Sequence, residues 1–224
     1  MCIRDRDSTL LGSDNVSALT IASFVGRDLV SRRGSGTPIA AFVSEMNNLA
    51  RSLRMTKTRF TAPHGLDAGN AVSTSCALDM ALLGMYSMQN PAFCYIVSQA
   101  SRRIGVQSQT KGTTMYDISN NNKMMSTPGV DGIKAGSSRA AGQCLLLSAT
   151  RNAIARRSPQ TGTEVIYPQR MIIAVLGTGE RYSLARRMLN TGWRVWENWQ
   201  ASGMDMKDPK EFVQLPVKSG TEKR

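Results

Sequence analysis

VDGIKAGSSRAAGQCLLLSAT, residues 130–150, reads as a β-hairpin: 130–136 as one arm, 137–141 as a turn of small and polar residues, and 142–150 as a strongly apolar second arm. The first arm holds an oddity. Lys134 sits between Gly132 and Gly136, and glycine inside a strand often marks close approach of a ligand or another backbone. A lysine there offers a point charge and three donors to a carboxylate. It also fits an edge-strand lysine that discourages aggregation. The hairpin alone leaves both readings open.

Moving outward, residues 171–176 (MIIAVL) predict a third buried strand, and 182–199 a closing helix with Leu184, Met188 and Leu189 turned inward. The polar, basic stretch 151–169 between them reads as a long, exposed hairpin loop with one β-like patch at Val165-Ile166-Tyr167. Upstream, Ala18, Ile21, Ala22, Val25 and Leu29 share one helical face, and Ser13 or Asp14 is placed to cap that helix. Thr37 and Pro38 open a second helix as cap and first residue, followed by apolar residues from Ile39 to Leu53 at helical spacing. A turn-rich TAPHGLD segment follows. A third helix is predicted from Ser73–Thr74 to about Met88, a short one from Asn90-Pro91 to Val97, and two short strands over 101–107 and 112–118. Helices first, then strands, then a helix predict an α/β chain of the α+β type, a helical region beside an antiparallel sheet with helices on it.

With 224 residues and 41% hydrophobic content, the chain can hold one sizeable domain. It contains no apolar run of the roughly 18 residues that a membrane-spanning helix needs, and no secretory signal pattern. The net charge of +12 raises anionic partners. The basic pairs are scattered and not interleaved with aromatics, so nucleic-acid binding is not expected. Cys2, Cys76, Cys94 and Cys144 lack zinc spacing. Cys76 and Cys144 look like small core residues, and a Cys76–Cys94 disulfide stays open. A single histidine excludes HExxH metallopeptidases. No metal or cofactor is expected.

Ser13-Asp14-Asn15 and Lys134-Ala135-Gly136, in that order, correspond in type to the Ser-x-Asn and Lys-Thr-Gly motifs of the active-site serine enzymes that penicillin inhibits. Together with TLLGSDNVSALTIAS, FTAPHGLD, STSCALDMALL, ISNNNKMMSTPGVDGIKAGSSRAAGQCLLLSATR, MIIAVLGT and LNTGWRVWEN, they make the chain similar to the D-alanyl-D-alanine carboxypeptidases of the S11 serine peptidase family, the low-molecular-weight penicillin-binding proteins. The similarity spans roughly residues 9–200. It implies a β-lactamase/DD-peptidase-like fold whose N-terminal part is missing from this sequence. Residues 1–8 are then a leader outside the fold, and 201–224 a linker or the start of a further domain.

The resemblance also implies a mechanism. A Ser-x-x-Lys serine attacks the D-Ala-D-Ala peptide carbonyl, D-alanine leaves, and water hydrolyses the acyl-enzyme. Carried over, Ser13 relays protons, Asn15 holds the substrate's peptide amide, and Lys134 steers the terminal carboxylate. Ala135 and Gly136 line the substrate strand, and the Ser137 N–H forms half of the oxyanion hole. The sequence departs from the pattern at Ala135, where threonine is usual, and at Asp14, where glycine is more frequent. The only Ser-x-x-Lys here is Ser108–Lys111, between the other two motifs, a match expected by chance. The nucleophile is therefore expected outside these residues, with this chain inactive alone. His64, without a G-x-S-x-G elbow, belongs to a structural turn.

The partners implied are a peptidoglycan stem peptide ending in D-Ala-D-Ala and, for the full-length protein, β-lactam inhibitors. The location implied is the cell envelope, periplasmic or extracytoplasmic, with membrane association only through segments absent from this sequence. One alternative is a non-catalytic peptidoglycan-binding pseudoenzyme, favoured by Ala135 and Asp14. Another is a class A-like β-lactamase, which needs a deacylating glutamate between the motifs. Glu45 is the only one there, and it lies in a predicted helix.

Overall fold

A computed structural model of the chain describes residues 3–66, 72–108, 112–157 and 162–203. The helical region comes first: α1 (Ile3–Leu10), α2 (Asn15–Arg33), α3 (Pro38–Ser52), α4 (Ala77–Ser87) and α5 (Pro91–Val97). A two-stranded antiparallel ribbon follows, β1 (Ser101–Ser108) with β2 (Gly112–Ser119), then a 3-10 turn over Lys123–Ser126. The hairpin β3 (Val130–Ser138) and β4 (Gly142–Arg157) continues into β5 (Glu164–Thr178), and α6 (Arg181–Ala201) closes the fold.

The sheet order β3-β4-β5 puts β4 in the centre, and its sequence shows why. Leu145, Leu147 and Ala149 face α6, packing with Ile173 and Val175 of β5 and with Ala185, Leu189 and Trp193 of the helix. Leu146 packs on the opposite face with Ile133, Met88 and Val97. A strand covered by helices on both faces reads as a continuous apolar run, as here, and not as an alternation. The helical layer closes tightly. A Cβ on Gly84 of α4 would lie 3.1 Å from Ile172 and 3.2 Å from Leu146. Where α2 meets the start of α3, a Cβ on Gly26 would lie 1.9 Å from the Pro38 carbonyl oxygen.

Several expectations need correction. Residues 1–8 do not all lie outside the fold: Ile3–Leu10 is a helix. Asp7, 1% exposed, receives the Arg102 guanidinium at 3.3 Å, and Arg4 donates to the Gly105 carbonyl, so α1 is tied to β1. The exposed hairpin expected over 151–169 is present, but its described arms, 151–157 and 164–169, are regular strand and form the distal part of β4 and β5, with Arg151 paired to Gln169 and Arg157 to Glu164. This ribbon projects beyond the covering helices. Its predominantly solvated surface lacks the one-sided hydrophobic alternation of a half-buried strand. The third helix begins at Ala77, because Thr74 is held in a backbone bridge to Arg59. Met188 is 40% exposed; the inward face of α6 is Ala185, Leu189 and Trp193. Cys76 and Cys94 are free thiols: Cys76 occupies the N-cap position of α4 without a side-chain capping bond, and Cys94 donates to the Met88 carbonyl at 3.1 Å. Residues 204–224, Asp67 and Lys111 lie outside the described residues.

Gly26→Ala should destabilise the chain by about 1–3 kcal/mol, as expected for overpacking against backbone that can move only as a unit. Urea denaturation followed by circular dichroism measures this, with an unchanged slope expected if only the native state is strained.

Candidate active site

The first wall of the site is the corner before α2. Ser13 has a left-handed backbone, φ +61°, which lets the chain turn from Leu11 into the helix. Asp14 is the N-cap: its carboxylate accepts from the Ser17 N–H at 2.8 Å and the Val16 N–H at 3.4 Å. The hydrogen bond from the Ser17 hydroxyl, then that from the Ser17 backbone, holds the Asp14 carboxyl below its usual pKa. The capping role is thus Asp14's, and Ser13 is left over for other partners. Asn15 is the first residue of α2 and lines the cleft.

The second wall is β3. Lys134 is paired with Leu146 on β4 and shares its face, the one turned toward the helical region. The solvated edge-lysine reading falls here. Lys134 is half-buried, its ammonium donates to the Ser13 hydroxyl, and it donates to the Ala135 carbonyl at 3.0 Å. Two of its three protons are so engaged, leaving one for the cleft. Burial pushes the Lys134 pKa down to about 8, with the Arg181 guanidinium adding to the effect. Ala135 is buried; Gly136 and Ser137 are exposed along the cleft.

Between the walls lies a cavity of about 450 Å³. Ser13, Asp14 and Asn15 line it together with Lys134, Ala135, Gly136 and Ser137, so every site residue read from the sequence faces one space. The turn Pro63–Leu66 also borders it, and Met80, Leu145, Leu146 and Leu176 supply apolar lining. His64 accepts the Leu66 N–H on Nδ1 at 3.3 Å, the local hydrogen bond of a turn. The cavity combines apolar walls with a few convergent polar groups, as small-molecule sites do.

Two site residues escaped the sequence reading. Arg181, first residue of α6, donates to the Gly136 carbonyl at 2.6 Å and lies 4.8 Å over the Tyr182 ring. It brings a second positive charge to the Lys134 end. Nothing in GTGERYS marks it, since an arginine opening a helix looks like any surface arginine. Asn121 donates through Nδ2 to the Gly12 carbonyl at 3.0 Å and to the Ser13 hydroxyl at 3.2 Å. The Asn120-Asn121-Asn122 triplet was the available signal. Asn120 ties to the Val97 and Gln99 carbonyls, and buried Asn122 to the Gly132 carbonyl at 3.1 Å.

A hydroxyl and a carboxamide at a helix entrance thus face a lysine on an antiparallel strand, and the fold that brings them together is DD-transpeptidase/β-lactamase-like. The fold is shared with the crystal structure of the Streptomyces K15 DD-transpeptidase, with a TM-score of 0.69 and 24% identity, covering 85% of this chain and 67% of that one. The model of the peptidase S11 family, D-alanyl-D-alanine carboxypeptidase, matches residues 7–158, and the chain belongs to that family. Among its relatives, D-alanyl-D-alanine carboxypeptidase DacA of Escherichia coli (strain K12) is 29% identical over 189 residues, covering 82% of this chain and 40% of that protein. DacC of the same organism is 28% identical over 195 residues, covering 84% of this chain and 40% of that protein. The D-alanyl-D-alanine carboxypeptidase of Streptomyces sp. (strain K15) is 30% identical over 129 residues, 55% of this chain and 44% of that protein. The chain thus spans less than half the length of these relatives.

A carbon-13 NMR titration of the Lys134 ε-carbon should give a midpoint near 8 instead of the ordinary 10.5. The ammonium is present below the folded value, so binding of a simple carboxylate such as acetate to the cleft should weaken as pH rises through about 8. Because the folded pKa lies below the unfolded one, the unfolded chain binds more protons between the two values, and stability should rise with pH across that window. A midpoint at 10.5 with pH-independent binding up to pH 9.5 would show that Lys134 is solvated.

Proposed function

We propose that the chain is part of a serine-type D-Ala-D-Ala carboxypeptidase acting on peptidoglycan stem peptides through an acyl-enzyme. The observation that carries this reading is the contact of the Lys134 ammonium with the Ser13 hydroxyl across a single cleft that Asn15 also lines. The acylated serine is taken to come from a Ser-x-x-Lys segment outside the 224 residues, which offer that spacing only at Ser108–Lys111.

In this reading the C-terminal carboxylate of the substrate meets the remaining proton of Lys134 at the end of the cleft that Arg181 makes more positive. Charge-assisted hydrogen bonds of this kind are short and roughly twice as strong as neutral ones. The Asn15 carboxamide holds the peptide amide of the stem. The Ser137 N–H stabilises the oxyanion of the tetrahedral intermediate, with the substrate lying along Ala135 and Gly136 of β3. As the C–N bond breaks, the amine of the leaving D-alanine takes the proton of Ser13, Ser13 takes one from the Lys134 ammonium, and the proton that the attacking serine gives up on forming the acyl bond restores that ammonium. Ala135 lacks the hydroxyl that a threonine would offer the carboxylate, a loss of about 1 kcal/mol. That is small beside the millionfold order of rate that a serine nucleophile supplies in serine proteases. The same carboxylate-and-amide recognition suits penicillin as a substrate mimic. Action on peptidoglycan implies a cell-envelope location for the whole protein; no described helix is long and apolar enough to cross a membrane.

Fluorescent penicillin tests the assignment. The longer gene product should be labelled covalently, and Lys134→Ala should slow its labelling on the order of 100-fold, the loss typical of one electrostatic group in such a site. The 224-residue chain should not be labelled. Labelling of the short chain would place the nucleophile within it. A longer product that binds acyl-D-Ala-D-Ala but is never labelled would establish a non-catalytic stem-peptide binder instead.

A further inference from the structure

We infer that Asn121 is a positioning residue that aims the hydroxyl proton of Ser13 into the cleft. The inference rests on the peptidase reading for its consequence, and on hydrogen-bond bookkeeping for its geometry. A serine hydroxyl has one proton and two acceptor sites. Ser13 Oγ meets two nitrogens, Lys134 Nζ and Asn121 Nδ2. An ammonium can only donate. The carboxamide orientation of Asn121 is set by a second contact, 3.0 Å from Nδ2 to the Gly12 carbonyl oxygen, which can only accept. The atom facing Ser13 is therefore the NH₂ nitrogen, also a donor. Both acceptor sites of Ser13 are filled, and its own proton must take the third direction. Ser13 lines the cavity, and we infer that this space is the third direction.

Asn121 is itself clamped. Its backbone N–H donates to the Leu11 carbonyl at 3.1 Å, and its carbonyl accepts the Tyr182 hydroxyl at 3.1 Å. Tyr182 in turn accepts the Lys123 N–H at 3.4 Å. One asparagine thus joins the Ser13 corner, the loop before β3 and the start of α6, where Arg181 stands. A proton held toward the cleft is a proton ready for the leaving amine, and protonation by a positioned group contributes about 100-fold or more to such a step.

The orientation can be seen directly by neutron diffraction from deuterated crystals of the 224-residue chain near pH 6. Nuclear density on Ser13 Oγ should point into the cavity. Density on the line to Asn121 or to Lys134 would overturn the inference, with no variant needed. The consequence is tested in the longer gene product with two substrates. An acyl-D-Ala-D-Ala peptide has an amine leaving group that must be protonated; the matching thioester releases a thiolate that need not be. Asn121→Ala should lower kcat on the peptide on the order of 100-fold while changing the thioester rate by only a small factor. Asn121→Asp, whose carboxylate would accept the Ser13 proton and turn it away from the cleft, should be at least as slow on the peptide, with penicillin binding to the folded variant retained. Equal losses on both substrates would mean a structural role only and overturn the inference. A wild-type product that cleaves neither substrate would overturn the peptidase reading and, with it, the leaving-group role, while the neutron result would still decide the hydroxyl's direction.

Discussion

The site is organised by a half-buried ammonium without a carboxylate partner. Lys134 points from β3 toward the helical region, where losing water disfavours its charge, and its protein partners are a hydroxyl and a backbone carbonyl. Among the described residues it makes no ion pair, and the nearest charge acting on it is another cation, Arg181. Among the described residues that line the cleft, the only carboxylate is that of Asp14, and it is spent on the first turn of α2. Two positive groups at one end of an apolar cavity make a place whose electrostatic deficit an anionic ligand would correct. The carboxylate terminus of a peptide is such an anion.

That deficit persists only because the surrounding structure is stiff. β4 has helices on both faces and carries β3 on one side, which fixes the backbone from which Lys134 reaches the cleft. Opposite it, the Ser13 corner is held by two sets of contacts: the Asp14 cap on the first turn of α2, and Asn121 on the Gly12 carbonyl and the Leu11 carbonyl. Both involve backbone groups, which positions the corner more firmly than side-chain packing alone. The resulting contact joins residues 121 positions apart in the chain.

Much of this was legible in the order of residues. The three leucines of the hairpin announced a strongly apolar arm, which the structure buries on both faces. The Thr37-Pro38 start announced α3, with Thr37 capping it. The short β1–β2 ribbon was visible as two strands of moderate apolar content. The candidate site was legible as two motifs whose residue types suit one reaction, and all of their members line the same cavity. What escaped detection did so for identifiable reasons. The distal β4–β5 ribbon is wet on both faces and carries no buried alternation. The beginning of α1 has little apolar content and is helped into place by ionic and backbone contacts to β1 that lie about a hundred positions away.

Local chemistry thus dictated the elements and the cast of reactive groups, because caps, turns and apolar periodicity act over a few residues. Which hydroxyl cap atom stays free, which of several arginines stands beside the lysine, and which asparagine of a triplet touches Ser13 were decided only when the chain closed on itself. Those choices depend on distances between segments that share no neighbourhood in the sequence, and the proton and charge arrangement of the cleft follows from them.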